Sequence, residues 1–518
     1  MLFNSLEFIS LFLPVTLGGY FFAARFLGRP YLVLWLILAS LCFYGWWDPF
    51  FVLLLILSVT FNFVIGCALQ STCPKQFRGL LLGFGIVVDL AALGWFKYSF
   101  FILENLSALS GSSFSLPEII LPLGISFFTF QQIAYLVDCR RGKAKETNFL
   151  NYFLFVTFFP QLIAGPIVHH KEMMPQFMAC SSERVFSPNI AIGLTIFAIG
   201  LFKKVVIADG LAEFVNPVFD RAAAGGSIDL VSAWGAALSY TFQLYFDFSA
   251  YSDMAIGIAR MFGIRLPINF FSPYKSTSIT DFWRRWHMTL SRFLRDYLYF
   301  PLGGNRLGYC RRYVNLMTVM VIGGLWHGAG WTFVFWGALH GLYLSINHAW
   351  SAAIQYFGLE KAQNSDAYKC IAWVVTFLSI VVGWVFFRAE SFDAARLVFE
   401  GMIGRNGTAL PPLIAEAIHR IAGVTLTNIN VDHSIGDMNF LLQIVWISLA
   451  LLIVLICPNT CQWMEKAAPV LDRFSAASAV MPLWRMRFGA AVLSALMFYA
   501  AIRNLFSDVP SEFLYFQF

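Results

Sequence analysis

The sequence is short of charge. Asp, Glu, Lys and Arg together make up 12% of its 518 residues, about half of the roughly 25% usual in a soluble domain. A water-soluble chain of this length needs far more charge to cover its surface, so the string of soluble domains that length alone suggests is excluded. Paired cysteines are missing too. The nine cysteines are scattered and odd in number, with no CxxC pair. Cys457 and Cys461 have no His or second cysteine pair nearby to complete a zinc site. No metal site and no disulfide scaffold is therefore expected, and the cysteines read as reduced structural residues. The net charge of +6 is carried by basic residues in short loops between apolar runs, which sets nucleic-acid binding aside.

Basic residues are also absent before the first apolar run. A signal peptide carries Lys or Arg ahead of its apolar core. Here the only early charge is Glu7, and Arg25 follows the stretch Phe8 to Ala24. That order predicts a retained first helix with its N-terminus outside. Arg25, Arg29, Lys75 and Arg78 then fall on the cytoplasmic side, as the positive-inside rule asks.

What the chain has in abundance is apolar length. Phe supplies 56 residues and Trp 16, a load suited to packing in lipid and anchoring at its interfaces. Runs long enough to cross a bilayer lie near 30–47, 50–70, 79–103, 117–137, 149–168, 188–208, 229–262, 313–336, 333–356, 370–388, 439–457 and 486–505. They predict an all-α polytopic membrane protein of about eleven to thirteen spans, read as one integral-membrane domain over 1–518. Pro122, Gly124, Pro160, Gly165 and Pro166 interrupt these runs. Such breaks imply re-entrant or kinked segments buried in protein. The least apolar stretch, 389–438, reads as an interfacial excursion. No internal repeat is visible, which counts against a transporter of duplicated halves.

One segment is too charged to span. In DFWRRWHMTLSRFLRDYL (281–298), Phe282, Trp286, Leu290, Phe293 and Tyr297 recur at helical spacing, with Arg284, Arg285, Arg292 and Arg295 opposite. It reads as an amphipathic interfacial or re-entrant helix on the cytoplasmic side. Its arginines either anchor it to lipid or face an anionic, phosphate-bearing substrate. The tract YFPLGGNR that follows is either a connector or a turn that lets backbone approach a ligand.

Histidines inside apolar sequence are functional candidates by default. His327 and His340 lie within VMVIGGLWHGAGWTFVFWGALHGLYL (319–344), and His287 sits on the border of the Arg-rich helix. Gly323, Gly324, Gly328, Ala329 and Gly330 strip bulk from around His327, leaving room for a substrate chain or another backbone. Trp326 and Trp331 frame that gap. An imidazole is the side chain best suited to general-base work near neutral pH. His169, His170, His348, His419 and His433 are weaker candidates. No GxSxG elbow, Walker A loop, HExxH or His-x4-Asp motif is present.

The stretch 281–306 followed by GGLWHGAGW (323–331) resembles the membrane-bound O-acyltransferase (MBOAT) family. Within it the chain looks like the bacterial branch of alginate-type O-acetyltransferases and teichoic-acid D-alanyl transferases. LFNSLEFISLFLPV (2–15), LPLGISFFTFQQIAYLVD (121–138), FFPQLIAGPIV (158–168), YFDFSAYSDMAIGIARMFGI (245–264), FSPYKSTSITDFWRRWH (271–287), GWVFFRAESF (383–392) and SEFLYFQF (511–518) extend the likeness to the alginate-type subgroup along nearly the whole chain.

The resemblance implies helices around a funnel or tunnel, with His327 as the catalytic histidine at its narrow middle and His287 as the second family histidine. It implies an acetyl group passed from a cytoplasmic donor across the inner membrane for O-acetylation of an extracytoplasmic polysaccharide. Alginate is the first expectation, with cellulose or peptidoglycan as alternatives. No tightly bound cofactor is expected; the donor is acetyl-CoA or another acetyl thioester. Periplasmic acetyltransferase-type partner proteins would carry the group to the polymer. Arg284, Arg285 and Arg292 are candidates for the donor's phosphates, and Trp326, Trp331, His340 and Asp247 are further candidate substrate contacts. Asp247 and Asp253 also read as structural partners of an Arg or a helix terminus. The rival from another class is a solute or ion transporter in which His287, His327 and the two aspartates line a path.

Overall fold

The computed structural model describes residues 1–72, 74–112, 114, 116–117, 119–179, 188–410, 416, 420, 429–431, 437–472, 488–507 and 513–514. His419, His433, most of SEFLYFQF and much of the 389–438 excursion lie outside the described residues. The described chain is a bundle of helices with one short parallel strand pair, Thr408–Leu410 beside Ile429–Val431.

Seven described helical stretches are long and apolar enough to cross a membrane: Phe8–Leu27, Pro49–Ser71, Arg78–Ser110, Pro188–Ala223, Asp366–Arg388, Met438–Ile456 and Phe488–Phe506. Further long helices, Ile125–Arg140, Leu230–Met261, Tyr309–His327 and Trp331–Tyr356, carry the polar residues of the interior and are less apolar for that reason. The chain is a multi-pass membrane protein.

Local sequence sets the element ends. Asp48 accepts from the Phe50 backbone N–H at 2.8 Å and Pro49 occupies the first helical turn, so Pro49–Cys67 starts there. Leu230–Met261 begins where the Asp229 carboxylate accepts from Val231 and Ser232. Every residue of that helix from Ser239 to Ala259 is buried, which makes it the central pillar. Against it runs Pro188–Phe202. A Cβ on Gly193 would lie 2.5 Å from the Gly257 carbonyl oxygen, so only glycine permits this helix contact.

The interrupted run at 149–168 is a helix to Thr157, a break at Phe158, a short turn Phe159–Leu162 and then irregular chain to His170. Residues 151–170 are buried throughout, so their non-helical backbone is shielded by protein. Several helices contain a π turn. Three of these carry polar side chains that reach other helices: Gly94–Tyr98 with Lys97 and Tyr98, Lys203–Ala208 with Lys203 and Lys204, and Arg295–Tyr299 with Tyr297.

The Arg-rich segment departs from expectation. It is not one surface helix but two short ones, Ile279–Arg285 and Met288–Leu294, with Trp286 extended and His287 left-handed (φ 42°, ψ 53°) between them. The break is held by the neighbouring chain. Phe271 N–H donates to the Arg285 carbonyl and Met288 N–H to the Asn269 carbonyl, both at 2.9 Å. Phe282, Trp286, Leu290 and Phe293 are buried in protein, so the apolar stripe faces the core and not lipid. The following Gly303–Gly304 turn is pinned by Asn315, whose amide donates to the Leu302 and Gly304 carbonyls. It serves as a connector. In the 389–438 stretch, helix Phe392–Met402 buries Ala394, Ala395 and Val398 in the core that includes the pillar.

Candidate active site

Two chain breaks bring two imidazoles together. His327 is the last residue of Tyr309–His327, a helix ended by the extended Gly328 (φ −156°, ψ 146°). His287 sits at the left-handed corner just described. Both are buried, and their ring centroids are 6.3 Å apart. Two helices of different segments thus end at one place in the protein interior.

Aromatic rings wall the pair. Trp326 lies 5.0 Å from His327 and 6.1 Å from His287, centroid to centroid. It stacks on Phe130 at 5.2 Å, and Phe130 stacks on Phe293 at 4.2 Å. Trp336 and Phe387 meet His327 edge-on at 5.2 and 5.3 Å. Phe248 of the pillar meets His287 edge-on at 4.8 Å. This wall surrounds the imidazoles with apolar ring surface.

The small residues around His327 admit both side chain and backbone: Gly328 lies against the Phe333 ring, while Gly324 and Gly337 lie against backbone. A Cβ on Gly324 would fall 2.2 Å from the Phe333 carbonyl oxygen, and one on Gly337 would fall 2.3 Å from that of Met320. Between a substrate chain and a second backbone, the two alternatives left open by sequence, the neighbour at Gly324 is the backbone of Trp331–Tyr356.

The other candidates are placed as follows. Trp331 is exposed and donates to Asn105 Oδ1 at 2.9 Å, on the outer side of the turn from Trp326. His340 is buried behind Trp336, and its Nδ1 accepts from Trp283 Nε1 at 3.3 Å. Arg284 is exposed, Arg285 pairs with Asp281 at 2.9 Å, and Arg292 is gripped by both carboxylate oxygens of Glu172 at 2.7 and 3.0 Å. Asp247 lies in a separate cluster on the pillar. It takes Lys204 Nζ at 2.8 Å and the Leu514 N–H at 3.0 Å, while Asp253 takes Lys203 at 2.8 Å and Thr460 at 2.6 Å. His169 Nδ1 meets the Tyr297 hydroxyl, which donates to Asp138. Among the described residues, no three His, Cys, Asp or Glu side chains gather to hold a metal ion.

Sequence reading missed Lys97, Tyr98 and Asn269. Lys97 Nζ donates to the carbonyls of Trp326 (2.6 Å) and His327 (3.1 Å), and the Tyr98 hydroxyl donates to that of Leu325 (2.9 Å). These are the orphan carbonyls at the end of the His327 helix, where a cation also suits the helix dipole. A lone lysine in an apolar run was the available signal. Asn269, fully buried, contacts His287 Nδ1 at 3.1 Å, and nothing in its sequence surroundings marks it.

The fold and site define a multi-pass helical membrane protein with two buried histidines paired at helix breaks. Residues 138–387 match the membrane-bound O-acyltransferase family and include both histidines. A peptidoglycan O-acetyltransferase of Helicobacter pylori is 48% identical over 80% of this chain and 82% of its own. A probable alginate O-acetylase of Pseudomonas putida is 39% identical over the full length of both chains, and that of Pseudomonas aeruginosa is 44% identical over 78% of this chain and 75% of its own. The chain belongs to the membrane-bound O-acyltransferase family, in its alginate O-acetylase-like branch. It is an O-acyltransferase, which removes the transporter reading.

Proposed function

We propose that the protein transfers acetyl from a cytoplasmic thioester to a hydroxyl that enters from the opposite face, and so supplies O-acetylation of an extracytoplasmic polysaccharide. The observation that supports this most is the pair His287 and His327, buried 6.3 Å apart at two chain breaks. His327 takes the proton of the attacking hydroxyl as its oxygen bonds to the thioester carbonyl carbon. The carbon–sulfur bond then breaks, and the departing sulfur takes that proton from His327 and leaves as a thiol. His287 stands beside this centre, and the aromatic wall keeps water from competing for the acyl group.

The donor, acetyl-CoA or another acetyl thioester, is a substrate and not a resident cofactor. Arg284, which is exposed, and Arg285 attract its phosphates. Arg292 is already engaged by Glu172 and contributes less. Arg25, Arg29, Lys75 and Arg78 orient the chain in the bacterial inner membrane with a periplasmic N-terminus. Periplasmic acetyltransferase-type partners carry the acetyl group onward to the polymer.

Full-length similarity to a probable alginate O-acetylase favours alginate as that polymer. The higher identity to a peptidoglycan O-acetyltransferase supports peptidoglycan as a second reading. One experiment tests both: base-labile acetate is measured on each envelope polymer in cells carrying wild type or His327→Ala at equal membrane levels. Loss of acetate from one polymer is expected and names it. Unchanged acetate on every polymer overturns the proposal.

A further inference from the structure

We infer that Asn269 is a positioning residue that locks His287 in the Nδ1–H tautomer, so that Nε2 carries the lone pair. The inference rests on the reading of His287 as part of the reaction centre and assigns which of its nitrogens works there.

Asn269 lies in extended chain between the pillar and the Arg-rich segment, fully buried. Its Oδ1 is met by His287 Nδ1 at 3.1 Å, Thr289 Oγ1 at 2.9 Å and Thr289 N at 3.4 Å. Its Nδ2 donates to Ser252 Oγ on the pillar at 3.2 Å. Amide orientation and imidazole tautomer are ordinarily ambiguous, because each offers a donor and an acceptor. Here two backbone N–H groups, which can only donate, remove the ambiguity. Thr289 N–H points at one atom of the Asn269 amide, so that atom is the oxygen. Ile167 N–H donates to Thr289 Oγ1 at 3.0 Å, which leaves the hydroxyl's own proton to go to the same oxygen. An oxygen that only accepts requires His287 Nδ1 to be the N–H. A neutral imidazole has one N–H, so its Nε2 is the acceptor.

The backbone agrees with this assignment. His287 is one of only three non-glycine residues with positive φ among those described. Strained backbone persists where its surroundings over-determine it. Here Asn269 supplies a side-chain contact on one side of the corner and a carbonyl for Met288 N–H on the other. His340 has the opposite arrangement. Trp283 Nε1, a donor only, meets its Nδ1, so in a neutral ring the proton is on Nε2. His287 and His340 are therefore not interchangeable. His287 is arranged to accept a proton or hydrogen bond at Nε2, as contact with a substrate hydroxyl requires.

The test uses the full chain in cells, with base-labile envelope acetate normalised to the level of the protein in membranes. Asn269→Ala removes the acceptor and is expected to lower acetate about tenfold or more. Asn269→Asp restores the acceptor without the donation to Ser252 and is expected to recover much of the loss, and Ser252→Ala to change little. At position 287, Gln places its amide near Nε2 and Asn near Nδ1. His287→Gln should exceed His287→Asn several-fold. Near-normal acetate in Asn269→Ala, no recovery in Asn269→Asp at normal membrane level, or His287→Asn equal to His287→Gln each overturns the inference. Should His287→Ala itself leave acetate unchanged, it is the underlying reading of the centre that fails.

Discussion

Two buried polar regions share one pillar helix and are built on opposite principles. Around Asp247 and Asp253, full charges meet full charges. Lys204 lies 2.8 Å from Asp247 and 2.9 Å from Asp209, and Lys203 lies 2.8 Å from Asp253. Around His287 and His327 the neighbours are aromatic rings and the Asn269 amide. The ion pairs set two lysines against three aspartates and hold helices together. The aromatic chamber instead surrounds its imidazoles with rings.

The comparison is broken most severely at His327. His327→Ala is expected to reduce envelope acetate by about 10²- to 10⁴-fold while membrane level and thermal unfolding in detergent stay unchanged. The ion-pair cluster should answer in the other currency. Lys204→Met leaves Asp247 buried without its main cation, a loss of about 3–5 kcal/mol. It should be read as a lower unfolding temperature and less protein in membranes. Lys204→Met combined with Asp247→Leu should recover part of that stability, because both charges are then gone. Should the double variant be no more stable than the single one, Asp247 has another role.

Smaller effects sharpen the boundary between the regions. Gly324→Ala drives a methyl into the Phe333 carbonyl and should cost about 1–3 kcal/mol with a matching loss of transfer. Gly323→Ala, whose Cβ would sit 3.4 Å from the flexible Leu294 side chain, should be tolerated. Equal behaviour of the two would mean that helix approach does not shape the site. Smallest is Arg284→Ala, where a surface charge worth about 0–1 kcal/mol permits at most about a fivefold rise in the donor concentration for half-maximal transfer. Stability should not change.

Charge scarcity, long apolar runs and helix-breaking Pro and Gly were enough to read a polytopic helical bundle with buried irregular chain. His327 and His340 were legible because a titratable side chain in apolar sequence is rare enough to notice, and His287 through its place in the Arg-rich segment and the family resemblance. The break at His287 was not legible. The periodicity of Phe282, Trp286, Leu290 and Phe293 is compatible with one helix, and the corner is imposed by Asn269 and Phe271 from outside the segment. The Arg292–Glu172 and Lys204–Asp247 pairs were hidden for a similar reason, since their partners lie 120 and 43 residues apart along the chain. Asn269 carries no pattern at all. Its meaning is entirely tertiary.

Lys97 places a constraint on the birth of the protein. Its two carbonyl partners arrive 229 and 230 residues later in the chain. The segment Arg78–Ser110 therefore enters the bilayer with an ammonium group that its eventual receptor cannot yet satisfy, at a cost of up to about 3 kcal/mol. Until Tyr309–His327 is inserted, that lysine must reach toward water or a lipid headgroup. The pull of Lys97 on the end of the late helix then links completion of membrane assembly to the docking of His327 itself.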